Sequence, residues 1–184
     1  FVYQDYPKED QESENYLNEF DWSKPWSSGA QFAGLCVFSS TNDQSSYKEK
    51  ESLINFIDKK VNSEDGGYYS GDTPNLTELV NGTMKIITGL DWLDYSIHYP
   101  EKLIDLCLNN KPSQAGCDLV DYVYVLFRCS KQTNYRKKEI VLYLLDLVEL
   151  ISNHFFPDTG GFSYDINKSQ KLYYGVKITN QKNV

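Results

Sequence analysis

Apolar residues recur at helical spacing along most of this chain, and Gly, Pro and Asp punctuate the intervals between the periodic stretches. The clearest stretch sets Leu76, Leu79, Val80, Ile86, Ile87, Leu90 and Leu93 in register behind Pro74. There Asn75 and Glu78 have the spacing of a capping pair. A second such pair, Ser46 and Glu49, opens a helix expected to reach about Val61 through Leu53, Ile54 and Ile57. Before it, a helix from about Ala30 to Ser39 follows the Trp/Pro segment around Trp22, Pro25 and Trp26. Pro100 suits a first helical turn, where its missing N–H costs nothing, and Leu103, Ile104, Cys107 and Leu108 follow it. Asp118 is placed to cap the next helix, which carries Leu119, Val120, Val123, Tyr124 and Phe127. A long helix from about Tyr135 to Asn153 carries Ile140, Val141, Leu144, Leu145, Val148 and Ile151. Residues 1–20 read as a loose arm or a short helix, and Ser169 opens an amphipathic segment that fades into polar residues.

Two of the breaks are near copies. Asp65-Gly66-Gly67-Tyr68-Tyr69-Ser70 and Asp158-Thr159-Gly160-Gly161-Phe162-Ser163-Tyr164 both run acid, Gly-Gly, aromatic, with Ser close by. Gly116 lies between them, 50 residues after Gly66 and 44 before Gly160. A period in the forties with two helices per unit signals stacked helical hairpins. The expected architecture is therefore all-α, with a loosely ordered arm over 1–20 and a helical-hairpin domain over 21–184.

Composition narrows the chemistry. A net charge of −8 opposes a nucleic-acid partner, whose phosphates need clustered Lys and Arg, and the basic residues gather only at Arg136-Lys137-Lys138. No apolar run approaches the roughly 20 residues that span a bilayer. Cys36, Cys107, Cys117 and Cys129 have no C-x-x-C spacing and sit in apolar helical patterns, which suggests buried free thiols and a cytoplasmic, reducing location. The sequons at Asn75, Asn81 and Asn167 read as chance. Phe1 in first place suggests processing or truncation, and 15 Tyr, 9 Phe and 3 Trp give an aromatic-rich core or cleft wall.

The Gly-Gly-aromatic turn between helices resembles the repeat of the α/α-toroid proteins, among them terpenoid cyclases, protein prenyltransferase β subunits and six-hairpin glycosidases and lyases. The phrases Lys24-Pro25-Trp26-Ser27-Ser28-Gly29 and Gly160-Gly161-Phe162-Ser163-Tyr164, with Tyr173-Tyr174-Gly175, resemble uncharacterised bacterial members of that superfamily. The resemblance covers about residues 21 to 178 and implies a partial or complete toroid. At seven or eight helices, that means part of a ring, a fragment or an open arc. The acid motif of the cyclases (D-x-D-D) is absent. Tyr124 stands where the prenyltransferase zinc pattern wants Cys, and with only His98 and His154 in the chain no metal or other cofactor is expected.

In hairpin rings the turns entering the inner helices gather at one end of a funnel. Acids and aromatic rings there suit a sugar, the carboxylates acting as acid and base while the rings stack on it. The candidate catalytic residues are Asp65, Asp118, Asp121 and Asp158. Candidate substrate-binding residues are Trp26, Gln31, Tyr68, Asn81, Lys85, Tyr122, Phe162, Tyr164 and Tyr174. Against them stands the ordinary role of Asp before Gly-Gly, which is to satisfy turn amides. Three readings follow: a carbohydrate-active hydrolase or lyase, a non-catalytic helical-repeat module binding a protein or glycan, and an isoprenoid-handling toroid. Oligomeric state is left open.

Overall fold

The computed structural model describes residues 10–41, 47–166, 172–173 and 175–177. It is mainly helical, with α1 (Asp10–Asn18), α2 (Pro25–Thr41), α3 (Tyr47–Asp58), α4 (Leu76–Trp92), α5 (Pro100–Leu108), α6 (Gly116–Ser130) and α7 (Lys137–Ser152). Two small antiparallel ribbons follow, β1 (Phe155–Phe156) with β2 (Gly161–Phe162), and β3 (Leu172–Tyr173) with β4 (Val176–Lys177). No helix among the described residues is long and apolar enough to cross a membrane.

Helices α2, α4 and α6 lie side by side and run in the same direction. At the first contact, the Trp26 backbone N–H donates to Glu78 Oε1 at 2.9 Å at one end, and Ser40 Oγ donates to the Trp92 carbonyl at 2.7 Å at the other. At the second, Asn81 Nδ2 donates to Asp118 Oδ1 at 2.9 Å near the N-termini, and Arg128 pairs with Asp91 near the C-termini. Parallel neighbours require return segments, and α3 and α5 supply them. Helix α3 packs on α1 and α2, while α5 and α7 pack on α6.

Helix α4 is the shared wall of two cores. Its Ile86 and Leu90 join Trp22, Phe32, Phe56, Ile57 and Tyr68, whereas Val80 and Ile87 join Leu103, Ile104, Leu119, Leu126 and Leu147. A helix apolar on two faces is one packed on both sides. Its contact with α2 is close enough to need glycine. A Cβ on Gly82 would stand 2.6 Å from Pro25, and one on Gly89 would stand 3.0 Å from Phe32 and Cys36.

The two Gly-Gly breaks form the same turn. Val61 bridges Tyr68 as Phe155 pairs with Phe162. The bonds Gly66 N–H to Asn62 O and Tyr69 N–H to Lys60 O recur as Gly160 N–H to Phe156 O and Ser163 N–H to His154 O. Gly66 and Gly160 both take the left-handed conformation, φ 80° and 69°. The match extends back to the helix ends, where Lys60 N–H to Ile57 O has its counterpart in His154 N–H to Ile151 O. Gly116 is no middle copy, because it is the first residue of α6.

Other expectations shift as well. Helix α2 begins at Pro25, five residues before the expected start, with Pro in the first helical position. Helix α3 stops at Asp58, so Val61 belongs to the turn, and Ser46 lies outside the described residues. Asp118 sits in the first turn of α6 and does not cap it; Ala115 is the N-cap. After α7 the described chain forms ribbons, and the expected amphipathic start at Ser169 lies outside the described residues. Residues 10–18 of the arm are helix α1, whose buried Leu17 accepts from Trp22 Nε1 at 2.8 Å.

Candidate functional site

Two places carry chemistry, a polar cluster between α4 and α6 and an apolar cavity where α6, α7 and the β1–β2 turn meet. The cluster forms because parallel packing sets the first turns of α4 and α6 against each other. Asp118 is 6% exposed. Its Oδ1 accepts from Asn81 Nδ2, and its Oδ2 accepts from Ser113 Oγ at 2.5 Å and Thr77 Oγ1 at 3.5 Å. Asp118 thus accepts from three side-chain donors in the first turn of α6.

One helical turn further on, Asp121 is 4% exposed and makes no hydrogen bond to the described residues. Burial pushes its carboxyl up from 3.8 to about 7; the Lys85 ammonium opposes that rise and the Asp118 charge adds to it. Asn81 is fully buried and Tyr122 is buried, and among the described residues neither Asn81 Oδ1 nor the Tyr122 hydroxyl has a partner. Asp118, Asp121, Asn81 and Lys85 thus form one group on facing helices.

The other candidates lie apart from it. Asp65 holds its own turn, Oδ1 accepting from the Gly67 N–H at 2.8 Å and Oδ2 from the Tyr69 hydroxyl at 2.8 Å. Asp158 is exposed on the β1–β2 turn. Tyr68 is fully buried, with its hydroxyl 3.1 Å from His98 Nδ1. Trp26 is half-buried at the start of α2, and Gln31 is exposed one to two turns later. Phe162 is exposed on β2. The Tyr164 carbonyl accepts from the Gly116 N–H at 2.8 Å, and burial raises its phenol to about 12. Tyr174 lies outside the described residues.

The histidines have partners that sequence reasoning missed. His98 sits between the Tyr68 hydroxyl and Asp58, with Nε2 2.7 Å from Asp58 Oδ1. His154 is 3% exposed, its Nδ1 is 3.0 Å from the Ser163 carbonyl, and its Nε2 is buried without a partner among the described residues. It lines a cavity of about 300 Å³ with Gly116, Leu119, Val120, Ile151, Phe162 and Ser163. Only the place of His154 after a helix, before a Gly-Gly turn, hinted at this. No group of three or more His, Cys, Asp or Glu placed to hold a metal occurs among the described residues.

Scans of protein-family models, of curated proteins and of solved structures find no match to this chain.

Proposed function

We propose that the chain is a non-catalytic helical-repeat binding module, a stretch of α/α-toroid-like hairpins that docks a helix along α7. The observation that carries this is the outer face of α7, where Val141, Leu142, Leu145 and Val148 are each more than half exposed. In the repeat, α7 matches α3, and the residues in the places of Leu142 and Leu145 are Lys48 and Glu51, both exposed. One copy of the helix keeps a solvated face there, whereas the other carries leucine. Covering each such side chain contributes about 1 kcal/mol. The parallel row of α2, α4 and α6 and the matched turns support the toroid-like arrangement. Asp65 and Asp118 spend their oxygens on their own surroundings, which favours a binding role over paired-acid catalysis.

Charge identifies the helix that fits. Exposed Lys137 and Lys138 open α7, and exposed Asp146 and Glu149 lie toward its end. A helix of the same pattern laid antiparallel brings opposite charges together, so a second copy of α7 is the simplest partner. Sedimentation equilibrium tests this. The full chain should dimerise, Leu145→Glu should leave it folded and monomeric, and Lys138→Glu should weaken a dimer that added Glu149→Lys restores. A chain that stays monomeric, or a dimer indifferent to Leu145→Glu, would overturn the reading.

A second reading, a carbohydrate-active hydrolase, is favoured by the Asp118–Asp121 pair. A buried acid with a raised pKa, Asp121, beside a second carboxyl group is the kind of pair acid–base catalysis uses. On that reading Asp121 is the proton donor. Release of reducing ends from an oligosaccharide panel, lost in Asp121→Asn, would support it over the binding module.

A further inference from the structure

The matched turns allow the cavity beside α6 to be compared, residue by residue, with the corresponding place in the first hairpin. Ile57, Lys60 and Tyr68 correspond to Ile151, His154 and Phe162, each by the same 94-residue offset that relates Gly66 to Gly160. At that offset Trp22 corresponds to Gly116, and each has a backbone bond to the chain beyond the turn, of opposite direction: the Ser70 N–H donates to the Trp22 carbonyl, whereas the Gly116 N–H donates to the Tyr164 carbonyl. In the first hairpin the Trp22 indole fills the space. It is 4% exposed, belongs to the core that holds Ile57 and Tyr68, and has Lys60 Nζ 5.6 Å from its ring centroid. In the second hairpin Gly116 brings no side chain, and the cavity of about 300 Å³ lies there.

We propose that this cavity binds an indole-sized aromatic ring, taken up where the first hairpin supplies Trp22 itself. Its volume suffices, because an apolar cavity of about 150 Å³ already holds a benzene ring. Leu119, Val120, Ile151 and Phe162 give it apolar walls. His154, held by its Nδ1 at 3.0 Å from the Ser163 carbonyl, closes one side of it. The site is independent of the α7 stripe and of the reading built on it.

The test is titration of the full chain with indole and with N-acetyltryptophanamide. Heteronuclear NMR and thermal shift supply the readouts. Indole should saturate, move the resonances of Val120, Ile151 and Phe162, and raise Tm by mass action. Gly116→Trp should fill the cavity from within and abolish indole binding. Val120→Trp, at an exposed position on the cavity wall, should crowd the cavity and weaken indole binding without depending on the first variant folding. Binding of N-acetyltryptophanamide as well would point to a tryptophan side chain as the natural occupant, and binding of indole alone to a free aromatic compound. Absence of saturable indole binding, or binding that both variants leave unchanged, overturns the proposal.

Discussion

Asp118 and Asp121 share a helix face yet meet different surroundings, and each makes a separate prediction. Removing the Asp118 carboxylate leaves the donors of Asn81, Ser113 and Thr77 facing nothing, so Asp118→Ala should cost about 2–4 kcal/mol by urea denaturation. Asp121 behaves differently because its folded pKa, about 7, lies above its ordinary 3.8. Between those values the unfolded chain has released a proton that the folded chain keeps. Stability from this group is therefore full below the lower value and declines as pH rises through the window. Asp121→Asn should flatten the slope of Tm against pH between about 4 and 7. An unchanged slope would show that the group ionises freely in the fold. The sequence made both residues visible as acids within an apolar helix. It could not show that Asp118 would meet Asn81, because that depends on the direction and register of two helices.

At the scale of elements, periodicity was legible wherever a helix buries one face, as in α4, α5 and α7. It misled where side chains other than the periodic ones decide. Pro25 reads as a break, yet in first position it starts α2, and its nearness to Gly82 is a tertiary fact. The ribbon of Phe155 and Phe162 is too short for a strand pattern to register. Gly82 and Gly89 look like weak points of a helix, although they are what lets α2 and α4 touch. Gly82→Val should therefore destabilise by more than the propensity difference, about 3 kcal/mol or outright loss of the folded state. Gly34, where an added Cβ meets nothing, is the control, and Gly34→Ala should be neutral or slightly stabilising in the same assay.

For the whole molecule, a row of helices packed side by side makes stability depend on neighbours. Helix α4 belongs to both cores, whereas α7 packs on one side only. Hydrogen exchange followed by mass spectrometry should find the slowest amides in α4 and much faster ones in α7 and the β1–β2 ribbon. Equal protection across the row would mean that it opens as a single unit. The likeness of the two Gly-Gly turns was legible in the sequence, but Gly116 is no third copy: it resembles a turn glycine in sequence, and only the structure places it at the start of α6.

The thiols turn this layout into a set of built-in reporters. Cys36 in α2, Cys107 in α5 and Cys129 in α6 are free and buried, and burial raises each thiol, that of Cys129 to about 12. Cys117 is free and only partly covered. An alkylating reagent should therefore modify Cys117 first and reach the others only when their helices part. Because the three buried sulfurs sit in different helices, the order in which they react would time the opening of each part of the row without any engineered label.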